Sequence, residues 1–459
     1  MEYLCIILFT ILAWWRVINA GLVIDDSTPE KRYGNVYLAV QSFLCLEIRE
    51  FMRHFKNIFY GTDMFKNVRG DHIASLCVHA LVSCLIYLCL GQDRVAFISS
   101  LLFGISPITN QVSCWCNGKR YGVATALSLL LYALAPVGIL LYIFIPFVHA
   151  SALLAPLLFL YKGQWMEVFL AISLGCVGFP FMRRWYFARK KTIGYKQFYK
   201  PEWRKLILCV KRFNFFFWHT IMPKSCGMYL GYQFYYGLTK SATKEALAIN
   251  REFWLSLCTL LSVLTTMIYM WHTPVGFGLA WFCLFTAQWC GMIIVTQSIV
   301  ERTMYLPAIG LCLAMGYVIS IFPILFIPIA TIYVLKSWDV TKQYGSIPDM
   351  LDYNIQNNPD SPHCYIAYIT DYFDRKMIDE GYYWAKKAAE VFPEDVYINL
   401  LLSAALVGLD EIEQANLWLL RSRCVKNKIG FMKPSVKGQV SREQYLEAAV
   451  AQAIKNRSK

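Results

Sequence analysis

The sequence has few charged residues for its length. Asp, Glu, Lys and Arg make up 16% of its 459 residues, whereas hydrophobic residues make up 57% and the mean hydropathy is +0.42. A typical soluble domain carries about 25% charged residues. This composition excludes a soluble enzyme of this size and predicts an all-α polytopic membrane protein.

Acidic residues are the scarcer of the two signs. The chain has 30 Asp and Glu against 44 Lys and Arg, which gives a formal net charge of +14. Much of the positive excess lies between apolar segments, where lipid phosphate is the natural counter-ion. We therefore expect membrane lipid as a partner and no nucleic acid.

A cysteine framework is also lacking. Cys114-x-Cys116 has no companion ligands at zinc-site spacing, so the sequence predicts no metal ligands and no disulfide pattern. Cysteine in an apolar segment behaves as a small hydrophobic residue. Most of the 16 cysteines are in such segments, for example Cys5, Cys77, Cys84, Cys89, Cys258 and Cys312.

The apolar segments predict about 11 transmembrane helices within residues 1–336. In the first, residues 3–24, Ile18-Asn19-Ala20 resembles a signal-peptidase site, so a cleaved signal is the alternative. We expect a retained helix, because Asp25 and Asp26 follow at once and use it as their anchor. The other predicted spans are 72–90, 94–108, 111–134, 136–147, 150–161, 164–182, 252–271, 275–297, 304–321 and 322–335, and residues 216–235 resemble a re-entrant segment.

Residues 183–215 form a strongly basic segment. They contain eleven Lys or Arg and one acid, Glu202, with aromatic residues interleaved. A cytoplasmic loop that obeys the positive-inside rule is favoured on composition alone. A basic interfacial element that holds an anionic lipid is the alternative.

Residues 337–459 have the composition of a soluble domain and contain a repeat. Pro359 and Pro393 are 34 residues apart, as are Trp384 and Trp418. A period of 34 with small residues where helices cross is the tetratricopeptide signature. Such repeats bind peptides on a concave surface, or they serve as a docking platform within the protein. The small residues are Gly381, Ala388, Ala415 and Ser422.

Two polar sites at the edges of apolar segments are candidates for a catalytic role. Glu301 and Arg302 lie side by side between two apolar segments, where charge is costly, although Arg302 as an interfacial anchor is the simpler alternative. Asp25 and Asp26 follow the first predicted span. Transfer of a sugar from a lipid phosphate requires a carboxylate for the acceptor hydroxyl and cations for the departing phosphate, and these two sites supply both.

Several stretches resemble the membrane-embedded C-type glycosyltransferases (the GT-C fold), and among them the transmembrane-and-tetratricopeptide O-mannosyltransferase group. The stretches are Val23-Ile24-Asp25-Asp26, residues 94–131 with Leu102-Phe103-Gly104-Ile105-Ser106-Pro107, and Val300-Glu301-Arg302 with Tyr305-Leu306-Pro307 and Gly310. The change from membrane spans to repeats after residue 336 completes the resemblance, which covers nearly the whole chain.

The resemblance implies an inverting hexosyltransferase that uses a polyprenyl- or dolichyl-phosphate sugar, with mannose as one candidate. The acceptor is a protein hydroxyl, bound with help from the repeats, and a divalent metal is compatible with the family. The active site and the repeats would face the outer or lumenal side of a bacterial inner membrane or the endoplasmic reticulum. By the same resemblance, Asp25 or Asp26 is the catalytic base. From the residues themselves we expect Arg302 to bind the donor phosphate and Glu301 to orient it, and Lys119 and Arg120 compete for the same role.

The chain departs from the family pattern at two places. Ser106-Pro107-Ile108-Thr109-Asn110-Gln111 replaces a His-Pro-Ile-His-x-Glu pattern, and His149-Ala150-Ser151 replaces a Lys-Glu pair. Two alternatives therefore stay open: a catalytically inactive GT-C-like scaffold that binds partners through its repeats, and a glycolipid carrier.

Topology gives a further expectation. A cytoplasmic N-terminus and an odd number of spans place Asp25, Asp26, the Glu301–Arg302 turn and the repeats on the outer side. The basic segment 183–212 then also lies outside, against the positive-inside rule. Binding of lipid phosphate would explain cations at that position.

Overall fold

The structure is a computed structural model in which every described element is a helix. The described helices are numbered α1 to α16 in chain order. The residues described are 1–20, 68–115, 118–134, 155, 204–223, 226, 247–287, 289–290, 301–359, 361–429 and 442–457.

The first 340 residues supply the apolar helices. Short 3-10 turns precede several of them, and the most important is Glu301–Met304, directly before α9. The helices are α1 Glu2–Trp14, α2 Val68–Cys89, α3 Arg94–Ile105, α4 Asn110–Ser113, α5 Lys119–Ala133, α6 Arg204–Ile221, α7 Arg251–Tyr269, α8 Pro274–Ala287, α9 Tyr305–Ile321 and α10 Phe326–Val340.

The described residues contain five helices that are long and apolar enough to cross a membrane. A sixth candidate is α3 followed by Pro107–Ser113, which is bent by 56° after Ser106. Pro107 removes a backbone donor and restricts the residue before it, which explains the break. The five are Glu2–Asn19, Arg69–Cys89, Arg251–Tyr269, Glu301–Ile321 and Pro323–Tyr344. The larger count of about 11 stays a prediction, because residues 135–154 and 156–203 lie outside the described part.

Exposed apolar side chains on these helices are consistent with contact to lipid. On α7, Trp254, Leu255, Leu261 and Ile268 are all more than half exposed. A contiguous apolar surface of this kind on a water-facing helix would be an aggregation site. These features support a membrane-embedded protein.

Helices α8 and α9 pack at very short distance through two glycines. A Cβ atom on Gly278 would clash with the carbonyl oxygen of Gly310, and a Cβ atom on Gly310 would clash with that of Gly278. Small residues permit this approach between membrane helices. Trp281 Nε1 also donates to the Leu306 carbonyl at 2.9 Å. The contact fixes α9 and the 3-10 turn that precedes it.

After α10, a 3-10 turn over Thr341–Tyr344 precedes the six helices that the structure describes in the rest of the chain. Two consecutive helix pairs begin 34 residues apart, as the sequence period predicts: Pro362 and Val396 open the first helices, and Ile378 and Ile412 the second. The helices are α11 Ile347–Asn357, α12 Pro362–Asp374, α13 Ile378–Val391, α14 Val396–Gly408, α15 Ile412–Ile429 and α16 Arg442–Arg457.

The predicted small residues lie where these helices cross. Ala388 and Ala415 are fully buried, and Ser422 Oγ donates to the Val396 carbonyl at 3.4 Å. A side chain on Gly381 would clash with the Phe373 ring. The geometry is that of packed helical hairpins, and their assignment to the tetratricopeptide class stays a prediction.

Candidate polar centre at one end of the helix bundle

Glu301 is the centre of a buried polar cluster. The 3-10 turn at the start of α9 places it fully out of solvent. Its Oε2 accepts a short hydrogen bond from Asn110 Nδ2, and its Oε1 lies 3.0 Å from His219 Nε2. These two contacts bring together three segments that are far apart in sequence, and they satisfy a carboxylate whose burial would otherwise be costly.

The orientation of Asn110 is fixed on both sides of its amide. Its Nδ2 also donates to the Pro107 carbonyl at 2.8 Å, and its Oδ1 accepts a hydrogen bond from the Tyr344 hydroxyl at 2.7 Å. The nitrogen must therefore face Glu301. Asn110 lies within the stretch that departs from the family pattern, where it serves as a support for Glu301.

Arg302 lies over an aromatic ring at the edge of the cluster. Its guanidinium carbon is 4.9 Å from the centre of the Trp115 ring, a cation–π distance. Its Nε donates to the Tyr121 hydroxyl at 3.2 Å and its Nη1 to Gln111 Oε1 at 3.4 Å. These contacts fix the plane of the guanidinium group, as a preorganised anion ligand requires.

Lys119 and Arg120 lie close to this region at the start of α5, but their environments differ. Lys119 forms an ion pair with Asp71 at 2.9 Å, and both side chains are almost fully buried. Arg120 is half-buried, with its guanidinium carbon 5.5 Å from the Tyr121 ring. Lys119 therefore already has an internal counter-ion, which weakens its assignment to a donor phosphate.

His79 connects the same region to the core. Its Nε2 lies 3.1 Å from the Gly104 carbonyl and its Nδ1 lies 2.8 Å from the Tyr305 hydroxyl. A carbonyl only accepts, so Nε2 carries the proton and Nδ1 accepts from Tyr305. This interaction fixes the first residue of α9, four positions after Glu301.

The predicted catalytic residues Asp25 and Asp26 lie outside the described residues, as does His149-Ala150-Ser151. The chain that leads to the two acids does reach this end of the bundle. Trp14 Nε1 donates to the Gly104 carbonyl at 2.8 Å, and the turn Trp15–Asn19 packs on Thr341–Tyr344. The described part therefore places the turn Trp15–Asn19 beside the polar cluster.

Part of the basic segment is also packed into the bundle. Lys211 and Arg212 on α6 are each 1% exposed, and Lys211 Nζ lies 3.5 Å from Glu252 on α7. These two cations therefore belong to a buried helix face and not to the solvent-exposed loop that the composition favours. Residues 204–215 of the segment belong to α6, and residues 183–203 lie outside the described part.

Sequence reasoning missed five residues of this centre: Asp71, Asn110, His219, Cys226 and Tyr344. The predicted span 72–90 leaves Asp71 just outside, but α2 begins at Val68 and includes it. Ligand atoms of His219, Cys226 and Glu301 lie within 4.8 Å of one another. His219 stands in an aromatic stretch and Cys226 follows Lys224 and Ser225, and nothing in the sequence suggests that either approaches Glu301. Tyr344 was assigned to the soluble domain.

Comparisons of this chain with protein-family models, with curated proteins and with solved structures found no match.

Proposed function

We propose that this protein is an inverting membrane glycosyltransferase of the C-type fold, which transfers a hexose from a polyprenyl- or dolichyl-phosphate donor to a protein hydroxyl. Mannose is the candidate sugar. The proposal rests on the family resemblance and is supported by one observation above all, the placement of Arg302. Its guanidinium is held by Trp115, Tyr121 and Gln111 at the end of an apolar bundle.

Such an arrangement suits a departing lipid phosphate. A preorganised cation in a partly dry site stabilises charge that develops during the reaction more than charge already present in the bound donor. A guanidinium matches phosphate oxygens with a fixed set of donors, which an ammonium group does not. Glu301 precedes Arg302 and is immobilised by Asn110 and His219, so the turn that carries the cation is fixed as well.

Asp25 and Asp26 complete the proposed reaction. One carboxylate removes the proton of the acceptor hydroxyl while its oxygen attacks the sugar carbon opposite the phosphate, which leaves with Arg302 beside it. The helical hairpins of residues 347–457 are proposed to be tetratricopeptide repeats that present the protein acceptor. The protein is proposed to work in the endoplasmic reticulum or a bacterial inner membrane, with the centre on the lumenal or outer side.

The test is the variant Arg302→Lys, assayed with a purified lipid-phosphate sugar and an acceptor peptide. Turnover should fall by about 10²–10³-fold, the usual loss for one preorganised donor, with a smaller change in donor binding. Arg94→Lys is the matched control, because Arg94 is exposed at the start of α3, at the opposite end from Ser106. If Arg302→Lys keeps the turnover of the natural protein, Arg302 is not a ligand of the donor phosphate.

A second candidate function is a non-catalytic scaffold, favoured by the ion pair between Lys119 and Asp71. That pair neutralises one of the cations predicted for the donor. A scaffold should keep its cellular role in the double variant Asp25→Asn, Asp26→Asn. An enzyme should lose roughly 10²–10⁴-fold in rate, the usual contribution of a positioned base. Mass spectrometry of glycopeptides from cells that carry either form separates the two.

A further inference from the structure

Three side chains of types that can ligate a metal come together at the buried carboxylate of Glu301. Ligand atoms of His219, Cys226 and Glu301 all lie within 4.8 Å of one another, and all three residues are buried. They come from three separate places: the end of α6, the segment that follows it, and the turn before α9. Convergence of an imidazole, a thiol and a carboxylate in an apolar bundle requires a physical reason, since each of them is costly to bury.

We propose that His219, Cys226 and Glu301 form a binding site for a divalent transition metal, with zinc as the ion that fits the donors best. Zinc accepts nitrogen, sulfur and oxygen ligands at about 2.0–2.3 Å and prefers a tetrahedral arrangement. Calcium and magnesium prefer oxygen ligands only, so the imidazole and the thiol argue against them. Three protein ligands leave the fourth tetrahedral position for a water or a substrate oxygen.

The surroundings of Glu301 already have the form of an outer ligand shell. Asn110 Nδ2 donates to Oε2 of Glu301, and Asn110 is in turn fixed by Pro107 and Tyr344. Oriented carboxylate ligands with such hydrogen bonds are typical of metal sites. Oε1, on the other side, is the oxygen that faces His219. One carboxylate oxygen is thus held by the protein, and the other is directed at the proposed ion.

Metal binding at this site requires a defined release of protons. The Cys226 thiol loses its proton to become the thiolate ligand, and His219 must present Nε2 without a proton, with its remaining proton on Nδ1. The hydrogen bond between His219 Nε2 and Glu301 Oε1 is replaced by two bonds to the ion. The ion would link α6 and Cys226 to the 3-10 turn that contains Glu301 and Arg302.

The first measurement uses the full-length protein, purified in detergent and freed of metal with a chelator. One equivalent of Co²⁺ is added, and bound metal is measured after removal of the excess. We expect about one ion per chain, together with a thiolate-to-cobalt charge-transfer band. Absence of tight cobalt binding, or cobalt binding without the thiolate band, would overturn the proposal.

Variants then identify the ligands. Cys226→Ala should abolish the thiolate band, whereas Cys312→Ala should leave it unchanged; the two cysteines are a matched pair because each is 3% exposed. Asn110→Ala removes the outer-shell hydrogen bond and should weaken binding by about 10–100-fold. Identical cobalt spectra for Cys226→Ala and Cys312→Ala would show that another residue holds the ion.

A third readout needs no substitution, so it does not depend on whether variants fold. In the natural sequence, zinc should slow the alkylation of Cys226 and leave that of exposed Cys424 unchanged. Mass spectrometry of the alkylated peptides measures both rates. Equal protection of both cysteines, or of neither, would contradict the site. These measurements record binding and not transfer, so they remain informative if the proposed glycosyltransferase activity fails.

Discussion

At the scale of single residues, the ion pair with Asp71 distinguishes Lys119 from Arg302, the proposed phosphate ligand. Both side chains are almost fully buried, and Lys119 Nζ lies 2.9 Å from Asp71 Oδ1. A buried pair contributes little net stability compared with apolar residues of similar size, but loss of one partner leaves the other charge uncompensated. The effect of substitution should therefore depend strongly on whether one residue or both are changed.

Lys119→Met should lower the free energy of unfolding by about 3–5 kcal/mol, because the Asp71 carboxylate then remains buried without its cation. The double variant Lys119→Met, Asp71→Asn should recover most of that loss. Thermal unfolding in detergent measures both. Equal destabilisation by the single and the double variants would show that the two residues do not stabilise each other.

The buried cap residue Asp395 allows a second prediction at this scale. Its Oδ1 accepts hydrogen bonds from the backbone of Tyr397 and Ile398 at 2.9 and 3.0 Å, which caps α14. Burial raises the pKa of Asp395, and these two hydrogen bonds oppose the shift only in part. The folded chain therefore binds a proton at a higher pH than the unfolded chain does.

The sign of the pH effect follows from that difference. As pH falls from the pKa of the folded carboxyl toward about 3.9, the value in an unfolded chain, proton uptake stabilises the folded state. Asp395→Asn keeps the acceptor oxygen and should remove this pH dependence at little cost near neutral pH. Asp395→Ala should cost about 0.5–2 kcal/mol, the usual loss of a cap. Unfolding temperatures across pH test this, and equal losses for Asn and Ala would refute it.

At the scale of helices, the approach of α8 to α9 determines where the candidate site lies. Gly278 and Gly310 leave no room for a Cβ atom between the two backbones. A larger residue would separate α8 from α9, and the turn with Glu301 and Arg302 would move with α9.

Gly310→Val should therefore destabilise the protein by at least the 1–3 kcal/mol typical of overpacking, and it should reduce any activity of the centre. Cys258→Val is a suitable control, because Cys258 is exposed on α7 and its substitution adds apolar volume outside the core. Thermal unfolding of the two variants decides the matter. Equal unfolding temperatures would mean that α8 and α9 do not rely on this contact.

The repeat and the polar centre differ in how well the sequence predicts them. The 34-residue period recurs in the spacing between the starts of α12 and α14 and between those of α13 and α15. The sequence shows such a period because regularly spaced small and apolar residues form a local pattern. The contacts of Glu301 were not predictable in the same way. Asn110 and His219 are 191 and 82 residues from it, and nothing local in the sequence pairs them. Asp71 fell outside the predicted span 72–90 for a simpler reason: that span was drawn from apolar residues alone, although acidic residues are favourable at a helix N-terminus.

At the scale of the whole molecule, distant parts of the chain meet at one end of the bundle. The end of α1, the turn at Pro107, the start of α9 and Tyr344 are all in contact there. Arg94 begins α3 at the other end. This arrangement predicts that Asp25 and Asp26 lie on the same side of the membrane as the C-terminal helices.

Cysteine accessibility in sealed membranes tests that prediction. Exposed Cys424 on α15 and a cysteine introduced by Asp26→Cys should react with an impermeant reagent from one side. A cysteine introduced by Arg94→Cys should react from the opposite side. Labelling of residues 26 and 424 from different sides would contradict both the predicted odd number of spans and the shared location of acids and repeats.

The hydrogen bond from Tyr344 to Asn110 has a consequence for how the protein is made. The two residues are 234 positions apart, so Asn110 enters the membrane long before its partner has been translated. At about 5–20 residues per second, the ribosome needs roughly 10–50 s to bridge that interval. Until then Glu301 lacks its fully oriented neighbour. The full set of hydrogen bonds around Glu301 therefore forms only after the ribosome has synthesised Tyr344, which ends the last of the described candidate spans. In an unfinished chain the polar residues of the centre are present, but their hydrogen bonds are incomplete.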